Sequence, residues 1–178
     1  MKKFMVFAAI LFLASCTGKK EVKQYTIDQF YKNVSIRFSD FSPDETKGLV
    51  TSNETGIYNL FEIDFADGTR KQVTFSDTES LFGIGYVHGT GQILYSSDKG
   101  GNENDHIYLL NEDGTSTDLT PGEAVKASFS GFSLDKKVIY LLSNKRDARF
   151  FDLYRMNVGE WKEEMVWENS MGLEYAGA

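Results

Sequence analysis

Among its 178 residues the chain has one cysteine, two histidines and two prolines. A single cysteine excludes a disulfide framework, and two histidines leave little for a zinc ribbon or a His-rich metal site. Two prolines against 16 glycines exclude collagen-like or proline-rich linker character. There is no basic tract, and Asp+Glu outnumber Lys+Arg by 26 to 19 for a net charge of −7. Nucleic-acid binding is therefore not expected, because phosphate attraction needs clustered Lys and Arg. No apolar run is long enough to span about 30 Å of hydrocarbon as a helix. What is present is 41% hydrophobic and 14% aromatic residues, including 14 Phe and 9 Tyr. That composition suits one packed domain built from pleated surfaces.

The first residues read as an address. Lys2 and Lys3 precede ten unbroken apolar residues, Phe4 to Leu13, and then Leu13-Ala14-Ser15-Cys16. This is the layout of a secretory signal peptide, expected over residues 1–15. Leu-Ala-Ser-Cys also resembles the bacterial lipobox, which implies lipidation of Cys16 as the new N-terminus. The alternative is an ordinary export signal with an incidental cysteine. Thr17, where an aspartate would favour inner-membrane retention, points to outer-membrane sorting. Cleavage there removes two lysines and no acid, deepening the charge to −9. Residues 16–32 then hold the lipidated cysteine, a solvated tether and the lead-in to the body.

The body is repetitive. Phe41, Tyr86 and Phe132 are spaced by 45 and 46 residues, and Asn53, Asp98 and Asn144 repeat both spacings. A period of about 40–50 residues with turn signals inside each unit points to a propeller-like array. Each unit reads as four short strands. An inner strand lies near 35–38, 81–86 and 125–129. A tight turn then leads to a strongly apolar strand at 49–51, 92–96 and 138–142, suited to burial between sheets. A polar loop and a third strand follow, clearest at Asn59 to Asp64. Asp67-Gly68 and Asp113-Gly114 are hairpin turns before a polar rim strand. The expected fold is all-β: an incomplete β-propeller of about three four-stranded antiparallel blades, at about 33–74, 80–120 and 125–167.

Particular motifs narrow this. Phe41-Ser42-Pro43-Asp44, the run Ser96 to Asn102, His106-Ile107-Tyr108 and Asp118-Leu119-Thr120-Pro121 resemble the TolB-type, WD40-like blade. The opening Tyr25-Thr26-Ile27-Asp28-Gln29-Phe30-Tyr31 resembles the approach to the propeller of prolyl oligopeptidase family serine peptidases. That resemblance implies a propeller that admits small peptides to a hydrolase domain placed after it. Residues 168–178 fall in the register where a fourth inner strand would begin, so the chain reads as the N-terminal part of a longer protein. A short natural product completing its ring by oligomerising is the alternative.

No catalytic residue is expected in this chain. It has no Gly-x-Ser-x-Gly elbow, and in the resembled family the nucleophile, acid and base all follow the propeller. His88 sits in the turn Val87-His88-Gly89-Thr90-Gly91, and His106 opens a third strand; neither has a motif supplying a partner. The run Asp98 to Asp105 is acidic and glycine-rich, but Lys99 and Gly101 break a calcium-loop pattern. Glu163-Glu164 invites comparison with paired glutamates that hold substrate amino termini, yet its setting reads as an outer strand. Gly83-Ile84-Gly85 lacks the helix and third glycine of a phosphate loop. Neither cofactor nor metal is expected. The expected function is substrate gating within an envelope-anchored peptidase, with peptide as the partner. The alternative is a TolB-like envelope scaffold that binds a partner protein on a propeller face.

Overall fold

The computed structural model describes residues 22–172. The signal peptide, Cys16 and residues 173–178 lie outside the described residues. Of the described residues, 22–33 belong to one unit and 34–172 to another. Of the first, residues 27–31 are a single helical turn, α1 (Ile27–Tyr31), closed by a capping box. Gln29 N donates to Thr26 Oγ1 and Thr26 N donates to Gln29 Oε1, which satisfies two otherwise orphaned amides.

The second unit is all-β, three four-stranded antiparallel sheets that follow one another along the chain. The first holds β1 (Ile36–Phe41), β2 (Lys47–Ser52), β3 (Asn59–Asp64) and β4 (Arg70–Gln72). The second holds β5 (Phe82–Tyr86), β6 (Ile93–Ser97), β7 (His106–Leu110) and β8 (Ser116–Asp118). The third holds β9 (Ala127–Phe132), β10 (Val138–Asp147), β11 (Phe150–Asn157) and β12 (Glu163–Trp167). In every sheet the spatial order is the chain order, a meander in which each strand pairs with the next.

The repeat extends below the level of strands. Each inner pair slips register once, skipping Ser39, Ile84 and Ser130. These three positions carry the same 45- and 46-residue spacing as the aromatics that follow them. A bulge bends its strand and sharpens the local twist, so the inner strand of each sheet bends at the same repeat position.

The turns repeat as well. Ser42 Oγ donates to Asp44 Oδ1 at 2.7 Å, and Ser133 Oγ to Asp135 Oδ1 at 2.7 Å. Lys47 N and Val138 N donate back to those serine hydroxyls. Hydrogen bonds from Ser42 and Thr46 hold the Asp44 carboxyl down at about 2. The tight path puts Glu45 at φ 57° and Lys136 at φ 60°, where a Cβ is strained. Glu45→Gly is expected to raise stability by about 0.5 to 1 kcal/mol, net of the looser unfolded chain. Thermal unfolding would check this, and Lys136→Gly should give the same sign. In the hairpins the residue at positive φ is already glycine, Gly68 at 73° and Gly114 at 83°.

Two buried clusters join the sheets. Leu49 and Leu60 of the first meet Tyr86, Ile93, Tyr95 and Leu110 of the second. Leu94, Ile107 and Leu109 of the second meet Ala127, Ile139, Leu141 and Met156 of the third. The apolar second strand is buried along most of its length in β2 and β6. In β10 it alternates instead: Ile139, Leu141 and Ser143 are buried, while Tyr140 and Leu142 are half-exposed on the other face.

One strand boundary differs from the sequence expectation. The second strand of the third unit was expected to stop at Leu142, before a polar loop. It runs to Asp147 and turns into β11 at once. Arg146 and Asp152 face each other across this hairpin, and their ion pair holds together the polar residues that hydropathy reads as loop.

Candidate functional site

The antiparallel order puts three kinds of segment at one end of the sheets. These are the starts of the inner strands, the loops between second and third strands, and the chain leaving each fourth strand. Two clefts open there.

The first holds His106. It is about 470 Å³ and is lined by Lys99, Asn102, Asn104, His106, Tyr108, Asp118, Gly122 and Glu123. His106 Nδ1 lies 2.7 Å from Asp118 Oδ2, whose other oxygen accepts from Thr120 N. Tyr108 stacks on Tyr95 at 5.2 Å, and burial pushes both phenols up. A carboxylate on Nδ1 could orient an imidazole for acid–base work, but none of the lining residues offers a serine or cysteine nucleophile.

The ladders give the position another meaning. Ser52 pairs with Asn59, Ser97 with His106, and Ser143 with Asp152. The three polar residues therefore occupy one repeat position near the start of the third strand, and two of them, Asn59 and Asp152, tie down chain leaving the fourth. Asn59 Oδ1 accepts from Ser76 N, and Asp152 Oδ1 accepts from Asn169 N. His106 differs: it pairs with the Asp118 side chain at the end of β8 itself. Its placement follows from the architecture of the repeat, with the cleft formed beside it.

The second cleft is about 500 Å³ and draws on all three sheets. Its lining includes Arg37 of β1, Phe82 and Ile84 of β5, and Ala127, Ser128 and Phe129 of β9, with Asp105 and Ile107 beside them. The Arg37 guanidinium lies 5.4 Å from the Tyr58 ring and 5.9 Å from Phe82. The two rings pack 5.2 Å apart.

The other sequence candidates are placed as follows. His88 is exposed in the β5–β6 turn, at the opposite end of the sheet from His106, so the two histidines cannot act together. It borders a third cleft of about 580 Å³ with Asp135, Lys137 and Glu160. The Asp98–Asp105 loop spends its polar groups on itself and its neighbour. Glu103 N donates to Asp98, Asn104 N to Asn102, and Gly100 N to Glu79. Among the described residues no three His, Cys, Asp or Glu are grouped to hold a metal ion. Glu163 and Glu164 do lie on the outer strand, and they do not converge. Glu163 is paired with Lys145 and Glu164 with Arg155. Glu163 Oε1 is buried with no hydrogen-bond partner.

Gly83 and Gly85 prove to be packing residues. A Cβ on Gly83 would lie 2.8 Å from Ser39 Oγ, and one on Gly85 2.6 Å from Asp40 Oδ2. They are where the second sheet closes on the first. Arg37 was missed in the sequence, since a lone arginine between apolar residues of a strand carries no signal. The partnership of His106 with Asp118 was legible in principle, because His-Ile-Tyr and Asp-Leu-Thr align on adjacent strands.

No family model and no curated protein matches the chain. Solved structures do. TolB from Acinetobacter baumannii is 19% identical, with TM-score 0.55 over 74% of this chain and 32% of that one. Porphyromonas gingivalis dipeptidyl peptidase 4 is 15% identical, with TM-score 0.59 over 76% and 18%. A Mycobacterium tuberculosis puromycin-hydrolyzing peptidase is 13% identical, with TM-score 0.55 over 75% and 20%. The chain thus spans about a third of the TolB chain and about a fifth of each peptidase. At these identities the likeness establishes the fold, that of TolB-like and peptidase propellers, and leaves activity open.

Proposed function

We propose that this chain is the gating propeller portion of an envelope-anchored serine peptidase, selecting peptides for a hydrolase domain carried elsewhere in the parent protein. The observation behind this reading is the second cleft. Inner strands from separate sheets converge on it with a cation, an acid, hydroxyls and aromatic walls, and its lining includes no histidine to activate Ser96 or Ser128. Such a surface recognises a chain without cutting it, and steric selection plus a few contacts is what gating requires. Lipidation of Cys16 would hold the protein in the envelope; Cys16→Ser should then release it from membranes.

A second reading, a TolB-like scaffold for a partner protein, is favoured by the likeness to TolB over three quarters of this chain. One experiment separates them. Native envelopes are treated with a fluorophosphonate probe, and the protein is recovered with an antibody raised against residues 34–172. A labelled species larger than 20.1 kDa supports gating. Recovery of unlabelled protein with a stoichiometric partner overturns it in favour of the scaffold.

A further inference from the structure

Arg37 stands apart from the other arginines. Arg70, Arg146, Arg149 and Arg155 are each paired with a carboxylate. The Arg37 side chain has no ion pair and no hydrogen bond among the described residues; its guanidinium lies over the faces of Tyr58 and Phe82. A cation–π contact uses the face of the group and leaves its N–H fork free to donate. The one acid in the cleft lining, Asp105, is instead 4.0 Å from Lys126 Nζ. Beside the arginine the wall is apolar: Phe82, Ile84, Ile107 and Phe129.

We propose that this cleft recognises a peptide carboxylate set next to an apolar side chain, with the Arg37 fork donating to the carboxylate. The proposal deepens the peptide-gating reading and rests on it. A planar monoanion matches one planar guanidinium in a bidentate pair. A phosphate dianion would call for further cations, and among the described residues Arg37 is the only basic one in the cleft lining. A volume of about 500 Å³ takes one apolar side chain with its backbone and terminus. Ser96 and Ser128 line the same cleft and supply hydroxyls that can hydrogen-bond a peptide.

The test titrates the full 178-residue chain with N-acetyl-alanyl-phenylalanine and, separately, with its C-terminal amide, following backbone amide signals. The acid is expected to bind about tenfold more tightly than the amide, moving signals at Phe82 and Phe129. Arg37→Gln should abolish that preference, and Arg37→Lys should keep part of it. A thermal midpoint unchanged in both variants excludes misfolding as the cause. Equal affinity for acid and amide, or a preference that survives Arg37→Gln, overturns the proposal and leaves the gating function standing. Binding of neither probe also overturns it, while gating is judged separately by fluorophosphonate labelling.

Discussion

Arg146→Ala is expected to lower folding stability by about 1 to 2 kcal/mol, because Asp152 loses its cation, although Arg146 is itself partly exposed and its removal lets water reach the carboxylate. Asp152 is fully buried, and Arg146 reaches it with Nε at 2.7 Å and Nη2 at 2.9 Å. Asn169 N supplies a third bond at 2.8 Å, which alone cannot offset the loss of the cation. Urea unfolding of the two proteins at neutral pH measures the difference, and a change under about 1 kcal/mol would refute it. The pH dependence carries its own sign. The Arg146 guanidinium holds the Asp152 carboxyl below its ordinary value. A depressed carboxylate stabilises the fold above the unfolded-state value and loses that contribution as pH falls. The variant's deficit should therefore shrink as pH drops below the ordinary aspartate range. Adding Asp152→Asn to Arg146→Ala should recover part of the loss at neutral pH, since the buried group is then uncharged.

Gly83→Val is expected to cost about 3 kcal/mol by overpacking the contact between the first two sheets. Its Cβ would meet Ser39 Oγ at 2.8 Å and the Leu60 and Leu49 methyls at 3.2 and 3.3 Å. The strand cannot back away freely, because Gly83 N donates to Thr51 Oγ1 across the same contact at 2.8 Å. Gly85 is pinned alike: Asp40 Oδ2 would crowd a Cβ there and already accepts from Tyr86 N. The repeat contains its own control. Gly131 is the third-unit counterpart of Gly85, and a Cβ there meets nothing within 4 Å. Gly131→Ala should change stability by less than about 0.5 kcal/mol. A Gly83→Val protein that unfolds with the wild type would show that the sheets are not locked through this strand.

Much of the fold was legible because its signals are local. The 45- and 46-residue spacings, the Asp-Gly turns and the apolar second strands each act within a few residues of chain. They sufficed for three four-stranded units in the right order. The end of β10 is not legible in this way, because the polar run after Leu142 stays in a ladder only where Arg146 meets Asp152. The candidate site was less legible still. Gly83-Ile84-Gly85 could be rejected as a phosphate loop, but its role lies in another sheet's side chains. Asn59, His106 and Asp152 share one position in three unlike residue types, and only their ladder partners show that they are equivalent.

The amino-acid sequence by itself determined the class of this protein, its repeat, its hairpins and the absence of a nucleophile elbow. Those properties follow from backbone propensity and hydrophobic period, which neighbours along the chain decide. Only the tertiary structure decided that His106 is a tie to Asp118, that the Glu163 and Glu164 carboxylates part company, and that Arg37 alone among the arginines has no side-chain partner among the described residues. Hydrogen bonds and ion pairs depend on a few ångströms of separation between residues up to dozens of positions apart, and those separations exist only once the sheets have packed.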